Sequence, residues 1–89
     1  MTERRATILN PEGLHARLAA RLVGLANRFQ SSVVLEKETQ QADAKSIMSV
    51  LILAAGPGTE LRITAQGDDE LQAAESIAQL IRTRFGDPA

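Results

Sequence analysis

Cysteine, tryptophan and tyrosine are all missing from this chain of 89 residues. Without thiols there can be no disulfide framework and no thiol chemistry. A single histidine, His15, with no cysteine to join it, excludes a Cys/His metal centre, and neither a metal nor a cofactor is expected. Aromatic residues are limited to Phe29 and Phe85, so the core has to come from Leu, Ile, Val and Ala. A basic excess is lacking as well: ten basic and eleven acidic side chains leave a net charge of −1. That argues against a nucleic-acid-binding surface, which would carry clustered positive charge. Long apolar runs are also absent. Met1-Thr2-Glu3-Arg4-Arg5 is polar, and nothing approaches the roughly 20 apolar residues of a membrane span. The expectation is a cytoplasmic protein with no signal peptide and no membrane association. What is present, 44% hydrophobic and 24% charged residues, is the balance of an ordinary globular domain, and the length suits one domain over 1–89.

The hydrophobic pattern changes period along the chain. Arg5–Leu9 is expected as a first strand. It runs into Asn10-Pro11-Glu12-Gly13, whose Asn, Pro and Gly occupy the positions a type I turn favours. Ala16–Phe29 has helical spacing, with Ala16, Ala19, Ala20, Val23 and Ala26 on one stripe and Leu22 and Phe29 widening it. Ser32–Lys37 is β-branched and apolar, a strand, and Gln40–Asp43 fits a short polar edge strand. Ser46–Ala55 is apolar nearly all round. It suits a short helix capped by Ser46 and stopped by Gly56-Pro57-Gly58, with a buried strand as the competing assignment. In Glu60–Ala65, residues Leu61, Ile63 and Ala65 alternate with polar ones, as in a half-buried strand. Asp68, Asp69 and Glu70 then suit a helix start. Leu71, Ala74, Ala78, Ile81 and Phe85 give that helix its apolar stripe, Arg82 and Arg84 its last turn, and Gly86 and Pro88 its end. The order βαββαβα implies an α+β domain with helices on one face of a sheet.

His15 is the residue on which chemistry can rest. It follows a tight turn and precedes a helix, where unpaired backbone N–H groups and the positive end of the helix dipole favour anions, phosphate above all. Arg17 adds a guanidinium suited to phosphoryl oxygens, and Gly13 permits the sharp bend that presents the ring. A neutral imidazole has a free ring nitrogen able to act as a nucleophile. On these residues alone, a lone histidine at a helix start is more often a solvated or capping residue. Asp68, Asp69 and Glu70 do not form a catalytic pair, and Gly56-Pro57-Gly58 lacks the Lys-Ser/Thr of a phosphate-binding loop.

Gly13-Leu14-His15-Ala16-Arg17 resembles the active-site motif of the histidine-containing phosphocarrier proteins (HPr) of the bacterial sugar phosphotransferase system. Lys45-Ser46-Ile47-Met48 resembles the second, regulatory motif of that family, at the family's separation. The resemblance extends over nearly the whole chain. It implies an open-faced β-sandwich, a four-stranded antiparallel sheet covered on one face by three helices. It implies that His15 takes a phosphoryl group on Nδ1 from phosphorylated enzyme I and passes it to enzyme IIA proteins. Arg17 and the backbone N–H groups of Ala16 and Arg17 would steady that group. The protein would then be a carrier rather than an enzyme with its own turnover. One departure is plain: most members read Ala-Arg-Pro after the histidine, and this chain has Leu18. Leucine keeps an N–H that proline lacks and loosens the first turn slightly, which bears on partner preference.

Ser46 has two compatible readings, a helix N-cap worth about 1 kcal/mol and, by the resemblance, a target of HPr kinase/phosphorylase. The helix from Ser46 carries more apolar surface than one core needs. Val50, Leu53 and Ala54 suit the sheet, leaving Ile47, Met48, Leu51 and Ile52 for partners. With Leu14, Leu18, Ala20 and Arg21 they form the expected partner surface, rimmed by the positive charge of Arg17 and Arg21. Residues 1–45 carry seven basic and five acidic side chains, the remainder three and six, which suits acidic partners at the first half. A monomer is the simpler expectation. The competing functions are service in a regulatory, nitrogen-type phosphotransferase branch, a regulatory binding protein switched at Ser46, and a structural module with no chemistry.

Overall fold

The computed structural model describes residues 1–86. Along the chain the elements are β1 (Thr2–Thr7), α1 (Ala16–Ala26), β2 (Ser32–Lys37), β3 (Gln40–Asp43), α2 (Ile47–Leu53), β4 (Glu60–Gln66) and α3 (Glu70–Arg82), closed by a 3-10 turn at Arg84–Gly86. The strands form one antiparallel sheet in the order β1-β4-β2-β3, so β3 is an edge as its polar composition suggests. α3 packs on β1 and β4, α2 on β3, and α1 lies against both helices. This is the expected open-faced sandwich.

The period-2 pattern of β4 decides which face is covered. Leu61, Ile63 and Ala65 are buried beneath the helices, as are Val33 and Leu35 of β2. Each fully buried Leu or Ile contributes about 2 kcal/mol. The opposite face carries paired charge: across strands Arg5 reaches Glu60 at 3.7 Å and Arg62 pairs with Glu36, and along β1 Arg5 reaches Glu3 at 3.6 Å. The core is aliphatic as expected, joined by Phe85, which is buried at the 3-10 turn.

Several expected boundaries and faces move. β1 begins at Thr2 and ends at Thr7, rather than spanning Arg5–Leu9. Its opening residues are polar, but contacts to α3 hold their inward members: Thr2 Oγ1 donates to Glu70 at 2.7 Å, and Arg4 pairs with Glu75. Ile8 is buried just past the strand and bonds to the loop before β4, through Thr59 and Gly58. α1 stops at Ala26 because Asn27 turns its side-chain amide back onto the Val23 carbonyl, at 2.9 Å. Its buried face is Leu18, Ala19, Leu22 and Ala26, so Ala16 and Ala20 leave the expected stripe and face outward. α2 is a helix, not the competing strand, and Ser46 is its N-cap. Ala54 is exposed rather than facing the sheet, because it takes the left-handed C-cap conformation (φ +53°) and Ala55 goes into the core instead. Leu71 is 57% exposed, outside the core stripe expected of it, since Ala73, Ala74 and Ile77 set the buried face of α3. Arg84 lies beyond α3, in the 3-10 turn, and Pro88 lies outside the described residues.

Candidate functional site

The loop between β1 and α1 is fixed from both sides. The Gly13 N–H donates to the Asn10 carbonyl at 2.9 Å, closing the turn. Asn10 is buried, and its amide nitrogen donates to the Arg84 carbonyl at 3.0 Å. Gly13 has φ +72°, and a Cβ there would lie 2.8 Å from the Ala55 carbonyl oxygen and 2.9 Å from Gly56 Cα. Only glycine combines that backbone with so close an approach. The next residue, Leu14, donates its N–H to the same Ala55 oxygen at 2.8 Å. The end of α2 thus anchors the peptide that delivers His15 to the start of α1.

His15 is itself the N-cap of α1. Its backbone is extended (φ −85°, ψ −177°), its carbonyl accepts from Ala19 N–H at 2.8 Å, and its Nδ1 accepts from Arg17 N–H at 3.3 Å. An N–H pointing at Nδ1 requires a lone pair there. The ring is 28% exposed, and Nε2 lies 3.1 Å from Oε2 of Glu12. The Arg17 and Ala16 side chains are exposed on the same turn. The first N–H groups of a helix have no acceptor within it, so this turn offers donors and a partial positive charge at the imidazole, with the Arg17 side chain on the same turn. That set can accept, hold and release a phosphoryl group. Among the described residues, no three His, Cys, Asp or Glu side chains converge as a metal site.

The other sequence candidates fall into four groups. Ile47, Met48 and Ile52 are exposed on α2, by 43%, 64% and 72%, and Leu51 is partly buried against the core. Ala20 and Arg21 are exposed on α1, where an Arg21 guanidinium N–H donates to the Phe85 carbonyl at 2.7 Å. Leu14 and Leu18, expected at the partner surface, are instead buried in the core, because the Gly13 turn and the first turn of α1 direct both inward. Ser46 caps α2 by accepting from Ser49 N–H at 3.3 Å. The Lys45 amine donates to the Phe29 carbonyl and the Asn27 amide to the Lys45 carbonyl, so the start of α2 lies at the end of α1. With Ala55 beside Leu14, the two helices run antiparallel, and Ser46 and His15 occupy opposite ends of the pair.

Chain-wide comparison decides the family. The family model for the PTS HPr component phosphorylation site matches residues 2–83. The chain belongs to the HPr family. Phosphocarrier protein HPr of Cupriavidus necator is 45% identical over 87 residues, 98% of each chain. HPr-like protein Crh of Bacillus subtilis is 43% identical over 82 residues, 92% of this chain and 96% of that one. The crystal structure of HPr from Thermoanaerobacter tengcongensis superposes with a TM-score of 0.95 at 38% identity, covering all of both chains. The HPr fold and a general phosphocarrier role in the phosphotransferase system follow from this membership. Among the described residues, no helix is long and apolar enough to cross a membrane.

Sequence reasoning missed two side chains. Glu12 entered it only as a turn residue, though three residues before a histidine is a spacing that allows contact across a turn. Asp69 entered as a helix-start acid, yet its carboxylate makes no cap hydrogen bond to α3. It accepts from Ser31 Oγ at 2.5 Å, Ser31 N–H at 2.9 Å and Gln30 N–H at 3.0 Å. The Ser31 hydroxyl first, then the two backbone N–H groups, holds its pKa down at about 2. No local periodicity announces that link.

Proposed function

We propose that His15 is the phosphoacceptor of this carrier, that enzyme I is its donor and that enzyme IIA proteins are its acceptors. The observation that carries the reading is the orientation of the ring, with a lone pair on Nδ1 facing the N–H of Arg17 at the mouth of α1. Nδ1 attacks phosphorus in line, and the bond to the donor's leaving atom breaks with its electron pair going to the donor. The Arg17 N–H then turns from Nδ1 to a phosphoryl oxygen, with the Ala16 N–H and the Arg17 guanidinium beside it. Transfer onward is the same displacement in reverse. The protein is substrate and donor for its partners and has no turnover of its own.

The docking face in this reading is the exposed stripe Ile47, Met48 and Ile52 with Ala20, rimmed by Arg17 and Arg21, while Leu51 supports it from below. Ser46 is its regulatory neighbour and the target of HPr kinase/phosphorylase. An 11-residue helix such as α1 is about 16 Å long, well beyond a Debye length of about 8 Å in physiological salt. A phosphate on Ser46 therefore acts on a partner lying across the α1–α2 pair, not on the imidazole directly. The chain works as one domain, as a monomer, in the cytoplasm.

The test is incubation with phosphoenolpyruvate and enzyme I. The expected product is an acid-labile, base-stable adduct that His15→Ala abolishes. Absence of that adduct from the wild-type protein refutes the reading. A second reading, a regulatory binder switched at Ser46 or a member of a regulatory phosphotransferase branch, draws support from the similarity to Crh and the half-buried Ser46 cap at the start of α2. It requires an acid-stable adduct at Ser46 made from ATP by a kinase, with no transfer to sugar-specific IIA proteins.

A further inference from the structure

The imidazole of His15 meets a different group at each nitrogen. A backbone N–H faces Nδ1 at 3.3 Å, and the Glu12 carboxylate stands 3.1 Å from Nε2. The first group is compatible only with a lone pair, and the second favours a proton. Glu12 is the third residue of the turn closed by Gly13 N–H on Asn10 O, so the backbone that presents the ring also presents the carboxylate. Its side chain is 77% exposed against 28% for His15, so it reaches the ring from the solvent side.

We infer that Glu12 is a positioning residue for phosphoryl transfer: it keeps the ring proton on Nε2 and steadies the positive charge that the ring gains when Nδ1 bonds to phosphorus. The inference rests on His15 being the phosphoacceptor. Before transfer the ring is neutral, with its proton on Nε2 and a lone pair on Nδ1. Forming the Nδ1–P bond uses that lone pair, and the Nε2 proton stays on the ring. The imidazole becomes cationic beside a carboxylate, while the phosphoryl group takes the opposite nitrogen. When the group moves on, the electron pair returns to Nδ1, and no proton has to be exchanged with solvent. A carboxylate at the acceptor nitrogen would draw the proton there and block attack, so its place beside Nε2 acts together with the Arg17 N–H in leaving Nδ1 free to react.

Because Glu12 is largely exposed, its charge is screened, and the expected effect is moderate, about fivefold in transfer rate. The experiment uses the intact protein with Glu12→Ala, Glu12→Gln and Glu12→Asp. Single-turnover transfer from phosphorylated enzyme I gives the rate, and two-bond proton–nitrogen spectra of the unphosphorylated protein in alkaline solution give the ring tautomer. A thermal melt confirms that each variant folds. Glu12→Ala is expected to raise the population with the proton on Nδ1 and to slow transfer about fivefold. Glu12→Gln, with an oxygen acceptor but no charge, recovers the tautomer and stays slow, and Glu12→Asp recovers part of the rate. Slow transfer with an unchanged tautomer in Glu12→Ala overturns the inference, because Glu12 then serves partner contact alone. A wild-type rate in Glu12→Ala overturns it as well. A wild-type protein that takes no phosphoryl group refutes the phosphoacceptor reading and the inference with it, a result separable from a Glu12 failure because the latter leaves wild-type transfer intact.

Discussion

Replacing Gly13 by alanine tests how the turn holds His15. The native backbone is left-handed there, at φ +72°, which costs a non-glycine residue roughly 1–2 kcal/mol. The new methyl would also sit 2.8 Å from the Ala55 oxygen and 2.9 Å from Gly56 Cα, both backbone atoms with no rotamer to yield. Relief requires the two segments to part, which weakens the Leu14 N–H bond to the same oxygen, worth about 1 kcal/mol. The sum is about 2–3 kcal/mol, a large share of the roughly 5 kcal/mol expected of a small domain. At a domain of this size that corresponds to a fall of about 10–20 °C in Tm. The control is Gly24→Ala, because Gly24 lies within α1, has no left-handed φ and has open space around its Cβ position. That change is expected to stabilise by about 0.5–1 kcal/mol, the opposite sign. Urea unfolding followed by circular dichroism measures both. A Gly13→Ala midpoint equal to that of the wild type would refute the argument from close approach. Because the displaced peptide carries His15, phosphoryl transfer in the folded fraction should fall too.

Leu18→Ala removes a fully buried side chain and is expected to destabilise by about 2–5 kcal/mol in a urea titration. Ile52→Glu, at a position 72% exposed, should leave stability within about 0.5 kcal/mol of wild type while slowing transfer from enzyme I; an unaffected rate removes Ile52 from the docking face. Ser46→Ala removes the bond to Ser49 N–H and should cost about 1 kcal/mol, read by thermal melting. The Asp69 carboxyl is held at about 2 rather than 3.8, chiefly by the Ser31 hydroxyl. Its folded pKa is depressed, so its contribution to stability is complete above the ordinary value and is lost as pH falls through about 2. Acid unfolding of Asp69→Asn should therefore be flatter over that window than wild type, and parallel curves would count against the Ser31 link.

Residues whose environment is set by their neighbours in sequence were legible before the fold. The alternation of Leu61, Ile63 and Ala65 marks a strand buried on one face only, and Ser46 before an apolar run marks a helix start. His15 stood out because a turn, a glycine and a helix opening meet at one point. What could not be read depends on distant partners. Thr2 and Arg4 are strand residues because Glu70 and Glu75 of α3 receive them. Asp69 holds Ser31 from 38 positions away, so its short-range reading as a helix-start acid missed its main contacts. Leu14 and Leu18 flank the histidine in sequence, which suggested a shared surface. The turn before α1 sends them inward and leaves the ring partly exposed.

The helix that begins at His15 is capped by an imidazole, and that kind of cap answers to the ring's chemical state. A serine or aspartate cap keeps its acceptor under most conditions. Nδ1 stops accepting whenever it gains a proton or a covalent substituent. The Arg17 amide, whose hydrogen bond ends at that nitrogen, is thus a built-in gauge of what the ring carries. Its exchange with deuterated solvent and its resonance frequency should report loading in real time, without a label placed anywhere on the protein.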